Sequence, residues 1–138
     1  MTAGHQHQHD QTRELQLAAE ARSVRVARRA AAEYAADHGV DSDAVALAVS
    51  ETVTNAVVHA YRDDHQGDSA GEIALRLRLN GDGIIVTVAD AGDGIRPNPE
   101  SPGLGYGLAL VASLADEVAI ARSDLGGTAV RMRFRPAD

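Results

Sequence analysis

The chain has 138 residues, 44% of them apolar, and a formal net charge of −7 at pH 7, values that predict one globular domain. The acidic balance argues against direct nucleic-acid binding and against a membrane partner, because both surfaces require clustered positive charge. All thirteen basic residues are arginines and there is no cysteine, which excludes lysine-dependent phosphate motifs, disulfides and thiolate chemistry.

The first residues of the chain are polar and rich in His and Gln. We expect residues 1–12 to form a disordered tail, followed by a single domain over residues 13–138. Alternating histidines in such a tail are more often solvated than metal-bound. No signal-peptide pattern and no apolar stretch of membrane-spanning length is present, so we expect a cytoplasmic protein.

Periodicity and turn residues predict the elements that follow. Alternation of apolar and polar residues indicates strands, and Ala-rich segments indicate helices. Turns that contain Gly and Asn or Asp indicate two hairpins. Gly39 is expected to end the first helix, and Asp41 or Ser42 to cap the second. The order predicts a two-layer α+β sandwich, with a mixed, mostly antiparallel sheet and helices on one face. In chain order, we predict strand 13–18, helix 22–38, helix 42–61, strand 72–79, strand 84–90, helix 106–116, strand 117–123 and strand 128–134.

The second predicted helix contains the segment SETVTNAVVHAY, in which Glu51, Asn55 and His59 are four residues apart. At about 100° per residue these side chains lie within about 80° of each other. A solvated outer face is one interpretation, but such a face would normally carry more charge, so we favour a cleft. An amide oxygen suits Mg²⁺, and a carboxylate one turn earlier can polarise a nearby hydroxyl or water. The opposite side carries an apolar stripe that must face the core: Val45, Val49, Val53, Ala56, Val57 and Ala60.

Two glycine-containing segments follow. In VTVADAGDGI, Asp90 ends a strand and is followed by Gly92 and Gly94. A fixed carboxylate can accept a hydrogen bond from a purine amino group, and glycines let a flat ring approach. A hairpin turn is the alternative, although a Pro-rich loop follows rather than a partner strand.

The second such segment, PGLGYGLALV, places three alternating glycines before a helix. A helix N-terminus opened by glycines exposes backbone N–H groups to an anion, and a plain helix cap is the alternative. The dinucleotide fingerprint G-x-G-x-x-G is excluded because Leu108 occupies its sixth position.

Together, and in this order, the three segments resemble the N, G1 and G2 boxes of the GHKL ATP-binding superfamily. Within that superfamily, SETVTNAVVHAY is most similar to the anti-sigma-factor serine/threonine kinases. The resemblance covers roughly residues 15–134. It implies a Bergerat-type α/β sandwich that uses ATP and Mg²⁺.

The resemblance also implies roles for individual residues. Asn55 would bind the Mg²⁺ that bridges the ATP phosphates, and Glu51 would be the general base. Asp90 would contact the adenine amino group. The other nucleotide-binding positions implied are Gly92, Gly94, Gly103, Gly105, Gly107, Leu108 and Thr128.

The partners implied are a STAS-domain anti-anti-sigma protein, phosphorylated on serine, and a sigma factor that is sequestered. Arg25 on the first helix is near the position of a partner contact in the family, although a charged outer face explains it equally well. Family members often dimerise, so a homodimer is a further expectation. The segment from Ile95 to Gly103 is short and has no basic residue after Arg96. It favours the alternative of a non-catalytic, nucleotide-gated module that sequesters a regulator without phosphorylating it.

Overall fold

The computed structural model describes residues 11–62, 71–91, 102–123 and 126–137. The predictions for the N-terminal tail, Gly92 and Gly94 lie outside these ranges. Within them, no helix is long and apolar enough to cross a membrane. The elements are β1 (Arg13–Ala18), α1 (Ala21–Asp37), α2 (Ser42–Arg62), β2 (Glu72–Asn80), β3 (Gly83–Asp90), α3 (Pro102–Leu114), β4 (Glu117–Arg122) and β5 (Thr128–Phe134).

The five strands form one sheet in the order β1-β2-β3-β5-β4, and every pair of neighbours is antiparallel. The helices pack on one face of this sheet, with α1 against β1 and β2, α2 against β3, and α3 against β4. The two-layer α+β architecture is therefore confirmed, and the described sheet is wholly antiparallel rather than mixed.

The core lies between the two layers, because alternate residues of each central strand face the helices. On the helix side, α1 contributes small buried residues, among them Ala27, Ala31 and Ala35. Such small side chains let α1 and α2 lie close together. The buried strand residues are Ile73, Leu75 and Leu77 on β2, Ile84, Val86 and Val88 on β3, and Val130, Met132 and Phe134 on β5.

Local signals account for the connection between α1 and α2. Gly39 has a φ of +72°, the left-handed conformation that glycine adopts without steric cost at a helix C-terminus. Asp41 caps α2, since its Oδ1 accepts the backbone N–H groups of Asp43 at 3.0 Å and Ala44 at 3.2 Å. Both the predicted stop and the predicted cap are thus confirmed.

The start of α3 differs from the prediction. The helix begins at Pro102 rather than near Tyr106, so Gly103, Gly105 and Gly107 lie within its first turns and not in a preceding loop. Glycine disfavours a helix by about 1 kcal/mol relative to alanine, which is why the sequence suggested a later start. Proline at the first position is compatible with a helix because the N–H it lacks would have no intrahelical partner.

The two ends of the described chain are fastened to the same place. The Tyr34 hydroxyl, near the end of α1, donates a hydrogen bond to the carbonyl oxygen of Gln11. The backbone N–H of Ala137 donates to the carbonyl oxygen of Gly39 at 2.9 Å. Burial raises the pKa of Tyr34, with the Arg13 guanidinium acting in the opposite direction. The hydroxyl therefore stays a donor at neutral pH.

Gly83 is required where β3 passes the backbone of β5. A Cβ at this position would lie 2.3 Å from the carbonyl oxygen of Phe134 and 3.1 Å from the Cα of Arg135. Because both are backbone atoms, Gly83→Ala must displace the strands, and we expect it to lower the free energy of unfolding by about 2–3 kcal/mol. Urea denaturation followed by circular dichroism measures this change.

Gly81 provides the control for this substitution. It lies in the same turn with a φ of +64° and open space where its Cβ would be. Gly81→Ala should cost only about 1 kcal/mol, the penalty of the left-handed conformation. Equal losses in the two variants would contradict a steric requirement at Gly83.

Candidate functional site

Two of the predicted site residues meet at the end of the central strands. Asp90 is the last residue of β3 and Thr128 the first of β5, and both are buried, at 8% and 5% exposure. The backbone N–H of Thr128 donates a hydrogen bond to Oδ1 of Asp90 at 3.3 Å. The antiparallel pairing of Ala89 with Ala129 brings these ends together. The carboxylate is thereby held at a fixed position on the helix side of the sheet.

Burying a carboxylate is costly unless hydrogen bonds replace its water. The bond from Thr128 offsets part of this cost at Asp90, and charge-assisted bonds of this kind are stronger than neutral ones. A buried carboxylate oriented by the backbone is suited to recognise a donor such as an amino group.

Asn55 lies near the side of α2 that contacts β5. Thr52, about 60° away around the helix, contacts the sulfur of Met132 on β5 at 3.6 Å. The Nδ2 atom of Asn55 is buried and has no hydrogen-bond partner. Rotating the amide by half a turn would exchange its nitrogen and oxygen, so either a donor or an acceptor can occupy this position. An unsatisfied buried polar group costs about 1–3 kcal/mol, which makes this amide a good candidate for ligand contact.

Glu51 lies one turn before Asn55 on α2 and is half-buried. Within the described residues its carboxylate makes no hydrogen bond or ion pair. It can therefore accept a proton or a hydrogen bond from a bound molecule without first breaking another contact. The two polar residues of the helix thus lie together, as their spacing predicted.

The other predicted site residues that the structure describes lie on α1 and α3. Leu108 is half-buried in α3, which packs against α2, and the three glycines at 103, 105 and 107 belong to the same helix. Arg25 is exposed on α1. The helix that carries Glu51 and Asn55, α2, packs against β3, the strand that ends at Asp90.

Ser123, which the sequence patterns above do not single out, shapes the turn before Thr128. Ser123 is buried, its N–H donates to the Gly127 carbonyl at 2.8 Å, and its carbonyl accepts the N–H of Gly126 at 3.0 Å. Gly126 has a φ of +99°, a conformation that favours glycine. A serine at the first position of a glycine-containing turn is the signal that could have identified it.

The bond between Asp90 and Thr128 generates a stability prediction. Asp90→Ala leaves a buried N–H without its acceptor, so we expect the free energy of unfolding to fall by about 1–3 kcal/mol. Asp90→Asn keeps an oxygen acceptor and should cost less. Urea denaturation measures both, and amide hydrogen exchange at Thr128 should be faster in the alanine variant.

Asp116 offers a matched control, because its Oδ2 accepts the backbone N–H of Arg135 at 2.7 Å on the surface. Asp116→Ala should change the free energy of unfolding by less than about 0.5 kcal/mol. Indistinguishable losses for Asp90→Ala and Asp116→Ala would show that the buried bond does not hold the strand ends.

The fold of the chain is similar to that of known protein structures. A comparison with curated protein sequences found no significant match. Among solved structures, 37 chains match significantly. One is the crystal structure of the RsbU and RsbW domains of Rv1364c from Mycobacterium tuberculosis, with 28% sequence identity and a TM-score of 0.67. The match covers 90% of the present chain and 32% of that one, so this chain spans about a third of its length.

A family model identifies the family to which the chain belongs. The model of the histidine kinase-like ATPase domain matches residues 17–134, a range that includes Asn55, Asp90 and Thr128. The GHKL resemblance of the three sequence segments is thereby confirmed. The chain belongs to the family of histidine kinase-like ATPase domains.

Proposed function

We propose that the protein is an ATP-binding anti-sigma factor that phosphorylates a STAS-domain partner on serine and sequesters a sigma factor. The observation that carries this proposal is the pair on α2: a buried Asn55 amide without a partner and, one turn earlier, a Glu51 carboxylate free to accept a proton. A module that only binds nucleotide needs the amide and has no use for the base.

The adenine end of the site is assigned to Asp90 and Thr128. The Asp90 carboxylate, oriented by the Thr128 N–H, would accept a hydrogen bond from the exocyclic amino group of adenine. Guanine has a carbonyl oxygen at the corresponding position, which would repel this carboxylate. Gly92 and Gly94 lie outside the described residues and complete the adenine pocket in this proposal.

The phosphate end is assigned to α2 and α3. Mg²⁺ takes oxygen ligands and keeps several waters, and the Asn55 amide can supply one such oxygen. No cluster of three or more acidic or histidine residues that could hold a metal occurs in the described part of the chain. In this proposal the ATP phosphates and water would supply further oxygen ligands, and the ion would neutralise the charge of the phosphates. The proposed contacts from α3 come from Gly103, Gly105, Gly107 and Leu108, since N–H groups at a helix N-terminus attract anions.

Glu51 would act on the partner's serine, which accepts the phosphoryl group. Its carboxylate would take the proton from a partner's serine hydroxyl as the oxygen attacks the terminal phosphate. The phosphoryl group passes to the serine oxygen, and ADP is the leaving group. Glu51 then returns the proton to solvent.

The similarity to the RsbW domain of Rv1364c, at 28% identity, supports a regulatory kinase of this kind. The exposed Arg25 on α1 is our candidate for a partner contact. A cytoplasmic location, a homodimer, and a single domain over residues 13–138 belong to the same proposal.

A second function, a nucleotide-gated module without kinase activity, is favoured by one observation. The segment between Ile95 and Gly103 is short and has no basic residue after Arg96. A segment with so little positive charge would neutralise the terminal phosphate poorly. Such a module would bind its regulator only with nucleotide present and would leave it unphosphorylated.

Thermal unfolding tests the nucleotide site. A ligand that binds only the folded state, at about 100 times its Kd, adds about 2.7 kcal/mol of stability, so Mg-ATP should raise the Tm. Asn55→Ala should lose most of the increase that depends on Mg²⁺. Thr54→Ala, which alters an exposed neighbour on α2, should retain it. A Tm that does not respond to Mg-ATP or Mg-ADP would refute nucleotide binding.

Transfer of radiolabel from γ-labelled ATP to a co-encoded STAS protein tests the kinase reaction. Removal of a general base lowers rates by about 10²–10⁴-fold, so Glu51→Ala and Glu51→Gln should nearly abolish labelling while keeping the Tm increase. Asp43→Asn removes an exposed carboxylate from the same helix and should label normally. Undiminished labelling in the Glu51 variants would refute the base. Nucleotide-dependent binding without any phosphoprotein would select the second function.

A further inference from the structure

The sheet face turned away from the helices carries an ordered set of arginines. Side chains that alternate with the core residues of β2 and β5 point to this face. Thr87 on β3 is paired with Arg76 and Arg131, and Ile85 is paired with Arg78 and Arg133. We call the four arginines, Arg76, Arg78, Arg131 and Arg133, the arginine frame.

Sheet geometry sets the dimensions of the arginine frame. Strands lie about 4.8 Å apart, so residues separated by one intervening strand are about 10 Å apart. Residues two positions along a strand are about 6.7 Å apart. The diagonal of the frame is therefore about 12 Å.

The charges of the arginine frame are only partly compensated. Glu14 pairs with Arg76 at 3.1 Å, and Glu117 pairs with Arg133 at 3.4 Å. The other two members, Arg78 and Arg131, make no ion pair or side-chain hydrogen bond within the described residues. They occupy opposite corners of the frame, which leaves two positive charges along its diagonal. This is notable in a chain with 20 acidic and 13 basic residues.

The surface beside Arg131 and Arg133 is concave. Ile85 is only 6% exposed although its side chain lies on the open face, which indicates that neighbouring long side chains cover it. A cavity of about 340 Å³ adjoins it, and its other lining residues are Asn80, Glu117, Val118, Ala119, Arg131 and Arg133. The face thus combines a concave, partly apolar floor with two arginines that make no ion pair within the described residues.

We propose that the open sheet face binds an acidic helical segment of a partner protein, with one carboxylate on Arg78, a second on Arg131 and an apolar side chain over the aliphatic stems that cover Ile85. Charge complementarity identifies the occupant. Carboxylates at positions i and i+7 of a helix are about 10.5 Å apart, close to the diagonal of the arginine frame. An apolar residue at i+4 lies on the same side of that helix.

The charges also argue against other occupants. A nucleic acid would be repelled by the net charge of −7 and would need more than two free cations. A second copy packed face to face would bring two arginine frames together. The proposed surface is distinct from the nucleotide site, because Asp90 and Thr128 face the helix layer. The inference therefore goes beyond the proposed function and does not depend on it.

The test uses the full chain and a fluorescein-labelled helical peptide of about 15 residues, with glutamates at i and i+7 and leucine at i+4. Fluorescence anisotropy at low salt should show saturable binding, weakened by added salt. Exchanging both glutamates for glutamine should lower the affinity at least about tenfold. Arg78→Glu combined with Arg131→Glu should have a similar effect and leave the Mg-ATP Tm increase unchanged.

Two further variants keep the result interpretable. Arg25→Glu combined with Arg28→Glu makes the same charge change on exposed α1 and should leave peptide affinity within about twofold. Arg78→Gln combined with Arg131→Gln is a milder change, which covers the case in which charge reversal unfolds the sheet. It should also weaken binding and reduce its dependence on salt.

Several outcomes would overturn the proposal. These are an absence of peptide binding by the wild-type protein, an equal loss in the α1 variant, and equal binding of the glutamine peptide. Displacement of the peptide by an equimolar DNA oligonucleotide would assign the face to nucleic acid. A change from dimer to monomer in the Arg78 and Arg131 variants, measured by light scattering, would assign it to a second copy.

Discussion

The pairing of β3 with β2 and β5 is the constraint on which the rest of the molecule depends. Its alternate residues face opposite layers, so a slip of one residue would exchange every core side chain for one from the open face. The register fixes Asp90 beside Thr128 on the helix side. It also places Ile85 and Thr87 between the arginines on the other side. The backbones of β3 and β5 pass close to each other at Gly83, which leaves little freedom to change the register.

The two candidate surfaces therefore share one strand and differ in their chemistry. On the helix side, a buried carboxylate and a buried amide are held by backbone contacts and by helix packing. On the open side, long arginine side chains surround Ile85. Groups that must be rigid are in the layer with the hydrophobic core, and groups that can adapt to a protein partner are exposed. A partner on the open face would leave the proposed nucleotide site accessible.

Much of the fold could be predicted because its signals are local. The alternation in β2, the cap at Asp41 and the stop at Gly39 each depend on a few neighbouring residues. The position of Glu51 and Asn55 on one side of α2 could be predicted for the same reason, because it follows from their spacing. The early start of α3 was missed because the low helix propensity of glycine outweighed the signal of Pro102.

Other features depend on contacts between distant parts of the sequence. The hydrogen bond from Thr128 to Asp90 joins residues 38 positions apart, and only the pairing of β3 with β5 creates it. The arginines at 76, 78, 131 and 133 alternate visibly in the sequence. Their arrangement around β3 follows from the strand order, which no local pattern specifies. The role of Ser123 likewise became clear only from its bonds across the turn.

The anchoring of Gln11 and Ala137 to the end of α1 has a consequence for the connectivity of the fold. Tyr34 holds Gln11 and Gly39 holds Ala137, so a short linker could join these two ends of the described chain. New ends could then be opened elsewhere without crossing the proposed nucleotide site. Folds with neighbouring ends tolerate circular permutation and insertion into a host chain. A polypeptide could thus enter and leave this domain at one corner, and adjacent domains would lie towards the Gly83 end of β3, the end opposite Asp90.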